Sequence, residues 1–382
     1  MYDAFLTLVL FIALFFVYLH IMDQYKTSED LEIYEMDYID VDTLQEVCNV
    51  RQPILFEFRN IYPRIFEEVN TDMIFTKNEK TPLISVKDVN DYWKTNTVDI
   101  VPLGFGNFRL LAITDSKSHY YSDNNYTFVE ETFIKKEAQK LDDFLKPNFI
   151  VSTTYDILMG SSGCPMPLQY HNHYRRFFVV LSGKIRVKMT PWKNRKHLHT
   201  VYDYEKYEFR SKINVWSPQE KYRNDMEQTK FLEFDVKEGH VLYVPPYWWY
   251  SFEFPDANPL VLSVTYDSAM SRLSNSWDLT KYFFQQQNIK EKVTRTFVPE
   301  PKVEVPQIQE ESEESEESEE SEESEKQEEE EETEKENPEY SMKYPSGEPY
   351  TENTSHLLGQ IQMREMVDIR QQNSQIIEHV MG

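Results

Sequence analysis

The chain has 382 residues, a formal net charge of −26 and two cysteines, Cys48 and Cys164. Residues 309–336 hold eighteen Glu against Lys326 and Lys335, so that segment alone carries −16 and the remainder about −10. This balance excludes a duplex-binding surface, which needs clustered Lys and Arg, so nucleic acid is not an expected partner; two distant cysteines likewise exclude a disulfide-stapled scaffold or a cysteine zinc site.

From residue 4 to 19 every residue except Thr7 is apolar or aromatic, and Ile21 and Met22 extend the run to the length a helix needs to cross ~30 Å of hydrocarbon. With no basic n-region and no small-x-small site at residues 20–24, an uncleaved single-pass membrane anchor over 1–27 is expected instead of a signal peptide. Lys26 is the one basic residue near either flank, so charge leaves the sidedness open, as do the sequons at Asn125 and Asn353.

Residues 28–295 read as the folded body, rich in Tyr, Phe and Trp and poor in Gly. In its first half a helix is expected over 41–50, a strand over 52–58 and a helix over 86–94. The second half carries strand patterns at 149–155, 202–209, 213–216, 231–235, 241–244, 249–254 and 260–266. Residues 177–189, folded about Ser182-Gly183, give a hairpin signal. Many short β runs without long amphipathic helices between them imply a mainly β fold with α additions (α+β), a closed or double-sheet jelly roll.

After residue 296 the composition changes to a Glu/Ser-rich linker, 296–354, in which Ser312, Ser315, Ser318, Ser321 and Ser324 recur every three residues. It cannot bury a core and reads as a disordered, solvated spacer. Residues 355–382 read as a short helix, with Ser355 as N-cap and Met366, Ile369, Ile376, Ile377 and Val380 approximating one face; self-association through 355–381 and protein partners for tail or helix are the associated expectations.

Two segments carry the chemistry. The first is Gln169-Tyr170-His171-Asn172-His173-Tyr174-Arg175-Arg176-Phe177-Phe178. The second is Glu238-Gly239-His240-Val241-Leu242-Tyr243-Val244-Pro245-Pro246-Tyr247-Trp248-Trp249-Tyr250. Together with the strand 260–266 and, weakly, residues 51–56, they resemble the metal-binding segments of the cupin and JmjC superfamily, closest to the asparaginyl-hydroxylase type. The resemblance covers most of residues 45–270 and implies a double-stranded β-helix. Active members hold Fe(II) with a His-x-Asp pair and a distal His, and grip 2-oxoglutarate with a Lys. Anchored on Phe177-Phe178, those ligand positions fall on Tyr170, Asn172 and Tyr250, and the lysine on Ile185. Alternation puts Ile185, Val187 and Met189 on the interior face and Lys184, Arg186 and Lys188 on the other.

A carboxamide and a phenol are poor replacements for a carboxylate and an imidazole, so neither iron nor co-substrate is expected. The alternative is a metal held by His171 and His173 in a register shifted by one residue, which a strand accommodates only with a bulge or loop. The plainer reading of these two histidines is that they bind nothing. Three functions follow: a catalytically inactive, membrane-anchored binding or scaffolding module; an active 2-oxoglutarate/Fe-dependent oxygenase at the shifted site; or a structural membrane protein acting through its tail. The combination of anchor, cupin-like body and acidic repeats resembles membrane-anchored proteins of large DNA viruses, which would place the anchor in a host membrane.

Overall fold

Alternation and continuous apolar runs divide the second half of the chain into two kinds of strand, and that division builds two facing sheets. The computed structural model describes residues 2–77, 82–98, 100–256 and 259–288; the expected linker at 296–354 and helix at 355–382 lie outside these. Eight strands form the centre: β1 (Ile150–Gly160), β2 (Gln169–Tyr170), β3 (Arg175–Ser182), β4 (Lys184–Thr190), β5 (Leu232–Lys237), β6 (His240–Val244), β7 (Trp249–Phe254) and β8 (Leu260–Ser268). One sheet contains the order β6-β3-β8-β1 and the other β2-β7-β4-β5, with these neighbours all antiparallel.

Among the described residues, strands from the first half extend the first sheet: Tyr34–Glu35 and Ile54–Glu57 beyond β6, and Tyr120–Ser122, Ile84–Asp88 and Ile100–Leu103 beyond β1. The pairing of Tyr34–Glu35 with Ile54–Glu57 is parallel. Thr200–Asp203 and Glu208–Ser211 extend the second sheet beyond β2. The fold is therefore α+β, with two mostly antiparallel sheets and an apolar helix at the N-terminus.

The strand β3 is apolar at consecutive positions because both its faces are covered: Phe178 and Val180 face the second sheet, while Arg175 reaches helix α2 (Val41–Cys48) on the other side. By contrast β4 alternates, with Ile185, Val187 and Met189 fully buried in the inter-sheet core and Arg186 exposed. Phe252, Phe254, Leu242 and Val261 complete that core.

Several local expectations are corrected. Strands β3 and β4 reverse direction at Ser182-Gly183 but form no hairpin, since each pairs within a different sheet. Gly183 makes the crossing with φ of +71°. The expected helix 86–94 begins instead with a strand, Ile84–Asp88, and turns helical at Val89–Thr95, with Asp88 capping Asn90 N. Residues 202–209 contain a turn between two strands, so Tyr202 pairs with Phe209. Residues 213–216 form no strand, because the Asn214 side chain accepts from Trp216 N and Ser217 N and closes a turn.

Helix α1 (Tyr2–Gln24) has a mean hydropathy of 2.6 over its most apolar window, with none of that window buried, and is long enough to cross a membrane. Its C-terminal end meets α3 (Ala269–Ser274), where the Tyr25 hydroxyl donates to the Ser274 carbonyl.

Candidate functional site

The inter-sheet core is apolar along most of its length and polar at one end. Residues directly opposite in an antiparallel pair share a face. Val261 pairs with Val180, Ser263 with Phe178 and Thr265 with Arg176, so the interior of β8 and β3 passes from apolar to polar along the strand. Across the gap, Tyr250 pairs with Gln169 and Met189, and Arg210 pairs with Gln169.

The turn between β6 and β7 positions the central pair. Pro245 and Pro246 restrict the backbone, and Tyr247 takes a left-handed φ of 65°, a costly conformation for a bulky residue. Its N–H donates to the His171 carbonyl at 2.8 Å, and the His171 ring returns a bond, Nε2 to the Val244 carbonyl at 3.1 Å. A carbonyl only accepts, so Nε2 carries the proton and Nδ1 is left as an acceptor. Burial, then Arg176 and His173 nearby, hold the His171 pKa well below the ordinary histidine value, so the ring is neutral.

Tyr250 lies with its ring centroid 6.0 Å from that of His171, and the His173 ring is 5.8 Å from His171. The three form a ladder from core to rim: Tyr250 and His171 are buried, while the His173 side chain is 29 % exposed and pairs with Asp267 at 3.1 Å. Burial raises the Tyr250 pKa, so its hydroxyl keeps its proton. Among the described residues, neither the buried Tyr250 Oη nor the buried His171 Nδ1 has a protein partner. The ladder thus holds one donor and one acceptor whose hydrogen-bonding capacity the described residues do not use.

Tyr170 and Asn172 are not part of this ladder. Tyr170 points to the other face of its sheet, against Phe209 at 5.0 Å, Trp249 at 4.7 Å and Trp192 at 4.8 Å. The Asn172 side chain donates to Tyr207 Oη at 3.0 Å. Ile185 sits fully buried among apolar side chains. The structure therefore brings together His171, His173 and Tyr250 and separates Tyr170, Asn172 and Ile185 from them. The one-residue difference is absorbed because β2 is two residues long and residues 171–174 form a loop before β3.

Beside the ladder is a buried charge network. Lys87 Nζ lies 2.5 Å from Asp123 and 2.9 Å from Glu208, and Arg210 lies 2.7 Å from Glu208 and 2.8 Å from Asp203. Burial opposes charge on Lys87 and Glu208, yet their mutual attraction, with Asp123 and Arg210, wins: the Lys87 pKa rises and the Glu208 pKa falls. The Asp156 carboxylate accepts from Asn124 N at 3.0 Å and Asn125 N at 2.5 Å, and burial followed by the Asp123 charge raises its pKa to about 6. Arg176 Nε donates to Ser263 Oγ at 3.2 Å.

These charged residues were not singled out in the sequence. Arg176 shares the parity of Phe178 and Val180, and Glu208 and Arg210 flank Phe209, so alternation signals three of them; Lys87, Asp123 and Asp156 carry no comparable signal. Among the described residues, no group of three or more His, Cys, Asp or Glu side chains is placed to hold a metal ion. A surface depression lined by Pro218, Arg223, Met226 and Glu227 involves none of the residues of the ladder. No protein-family model matches the chain, and no curated protein matches it.

Proposed function

We propose that this protein is a membrane-anchored jelly roll of the cupin/JmjC type that has lost catalysis and serves as a binding or scaffolding module. Support for the fold comes from the strand interleaving: the eight central strands lie in the orders 6-3-8-1 and 2-7-4-5 within the two larger sheets, as a double-stranded β-helix would have them. Support for the anchor comes from the length and composition of α1.

The observation that carries the loss of catalysis is the donor set of the interior ladder. Fe(II) with 2-oxoglutarate calls for two imidazoles and a carboxylate with open positions. Here the ladder offers His171, a His173 tied to Asp267 and, in place of a third strong ligand, a Tyr250 whose proton is retained by burial, and no group of three or more His, Cys, Asp or Glu among the described residues is placed to hold a metal. Ile185, where the resemblance places the co-substrate lysine, is an apolar core residue. These donors do not fit the group.

The two unpartnered atoms, His171 Nδ1 and Tyr250 Oη, favour one second reading: a metal-dependent oxygenase whose site is His171, His173 and Tyr250. A single experiment separates the two. The full chain in lipid nanodiscs is loaded anaerobically with Fe(II), and retained iron and 2-oxoglutarate consumption are measured. We expect iron no higher than in a His171→Ala control and no succinate; near-stoichiometric iron with turnover would overturn the inactive reading.

A further inference from the structure

The helix α4 (Ser276–Asn288) contacts the domain through Asp278, Tyr282 and Gln286. Asp278 accepts from Tyr204 Oη at 2.9 Å, the Tyr282 ring lies 5.6 Å from that of Tyr207, and Gln286 donates to the Glu205 carbonyl at 2.7 Å. These positions are four apart and mark the inward face. On the outward side the helix presents Trp277, Phe283 and Phe284, 70 %, 58 % and 61 % exposed, and Leu273 of α3, 46 % exposed, precedes them. An amphipathic helix of a water-facing domain has the reverse arrangement.

The position of this aromatic side follows from where α3 is held. A capping box of Ser268 and Ser271 fixes its start, and its last residue, Ser274, accepts the hydroxyl proton of Tyr25. Tyr25 immediately follows α1, and its ring also contacts Tyr247 at 6.2 Å. The end of the apolar helix is thus tied to the point where α3 gives way to α4. Trp277 is three residues beyond Ser274 in sequence, at the second position of α4.

We infer that α4 lies in the interfacial layer of the same bilayer that α1 enters, with Leu273, Trp277, Phe283 and Phe284 inserted among the lipid headgroups and upper acyl chains. Indole and phenyl rings at this depth bury apolar surface while leaving the polar side of the helix in water. Arg272 is exposed and flanks the patch where lipid phosphates would sit, while Lys281 is held on the inward side by Tyr204 Oη at 3.0 Å and Asp278 at 3.2 Å. The domain then meets the membrane through two elements, and its orientation over the surface is fixed instead of swinging on a tether.

The inference rests on α1 as a membrane anchor, which carbonate extraction of membranes containing the full chain checks separately. With the full chain in phosphatidylcholine nanodiscs, tryptophan fluorescence is compared between ordinary lipid and lipid brominated high in the acyl chains. Quenching is expected for the wild type and its loss in Trp277→Phe, because Trp248 and Trp249 are fully buried and the other three tryptophans lie at least partly within the domain. Equal quenching in both proteins would overturn the inference. So would a Trp277 shielded from aqueous iodide yet unquenched by lipid, which would mean that residues 355–381 or a second copy cover it. Extraction of the chain by carbonate would remove the anchor itself, a distinct failure.

Discussion

A buried hydroxyl with no partner destabilises a fold by about 1–3 kcal/mol, whereas replacing it with hydrogen leaves the ring's packing intact. Tyr250 Oη is such a group: its ring contacts Phe178 at 5.5 Å and Phe252 at 5.3 Å, and its oxygen has no protein partner among the described residues. If the interior binds nothing, Tyr250→Phe should raise the midpoint of thermal unfolding by an amount equivalent to about 1 kcal/mol. If a ligand or metal uses that oxygen, the same change should lower the midpoint and abolish any shift produced by added Fe(II) or Mn(II). The sign of the change therefore distinguishes the two readings of the ladder. Arg175 poses the opposite case on the outer face of β3. Fully buried, it donates to Gln45 Oε1, Asn49 Oδ1 and the Tyr174 carbonyl, and lies 4.2 Å over the Tyr174 ring. A lysine cannot reproduce a planar fork serving acceptors on two elements, so Arg175→Lys should destabilise by about 2–4 kcal/mol in denaturant titrations.

At the scale of elements, the close approach of the two sheets is set where β1 ends. A Cβ on Gly160 would fall 2.0 Å from the Phe254 ring of β7. Gly160→Ala should accordingly cost about 1–3 kcal/mol through overpacking, and Phe254→Leu added to it should recover part of the loss, the two sites being in contact. Thermal melts of the single and double variants check this. The strands were largely legible because 150–160, 232–237, 240–244, 249–254 and 260–268 carry their own apolar patterning. The crossing at Gly183 was not, since a turn signal marks a reversal without saying which sheet the chain re-enters. Val86 to Asp88 fit a helical pattern locally, and they become a strand through pairing on both sides, with Ile100 to Leu103 and with Tyr120 to Ser122, the latter more than thirty residues away. The site suffered most: a two-residue β2 sets no register, so nothing local distinguishes an inward Tyr170 from an inward His171.

For the whole molecule, the polar end makes stability depend on pH in a direction unlike that of a surface carboxylate. Asp156 has a folded pKa of about 6, raised first by burial and then by Asp123, against an ordinary aspartate near 4. The folded state therefore holds this proton more tightly than the unfolded one, and between pH ~4 and ~6 it binds more protons. By linkage, the contribution of Asp156 falls as pH rises through that window: its burial carries no ionisation penalty below the unfolded pKa and the full penalty, about 3 kcal/mol, above the folded one. Asp156→Asn does not titrate. It keeps one acceptor for the N–H groups of Asn124 and Asn125 and loses the other, a cost that is independent of pH. Measured on the full chain in detergent, the stability of Asp156→Asn relative to wild type should increase by about 2–3 kcal/mol from pH 4 to pH 7 and level off above. A difference that is flat across this range, or that grows in favour of the wild type with pH, would show that Asp156 is ionised without penalty. The positive charge of Arg176 and the N–H groups of Asn125 and Asn124 would then outweigh its burial and the Asp123 charge, and the interior end of the sandwich would be a charge-stabilised site instead of a strained one.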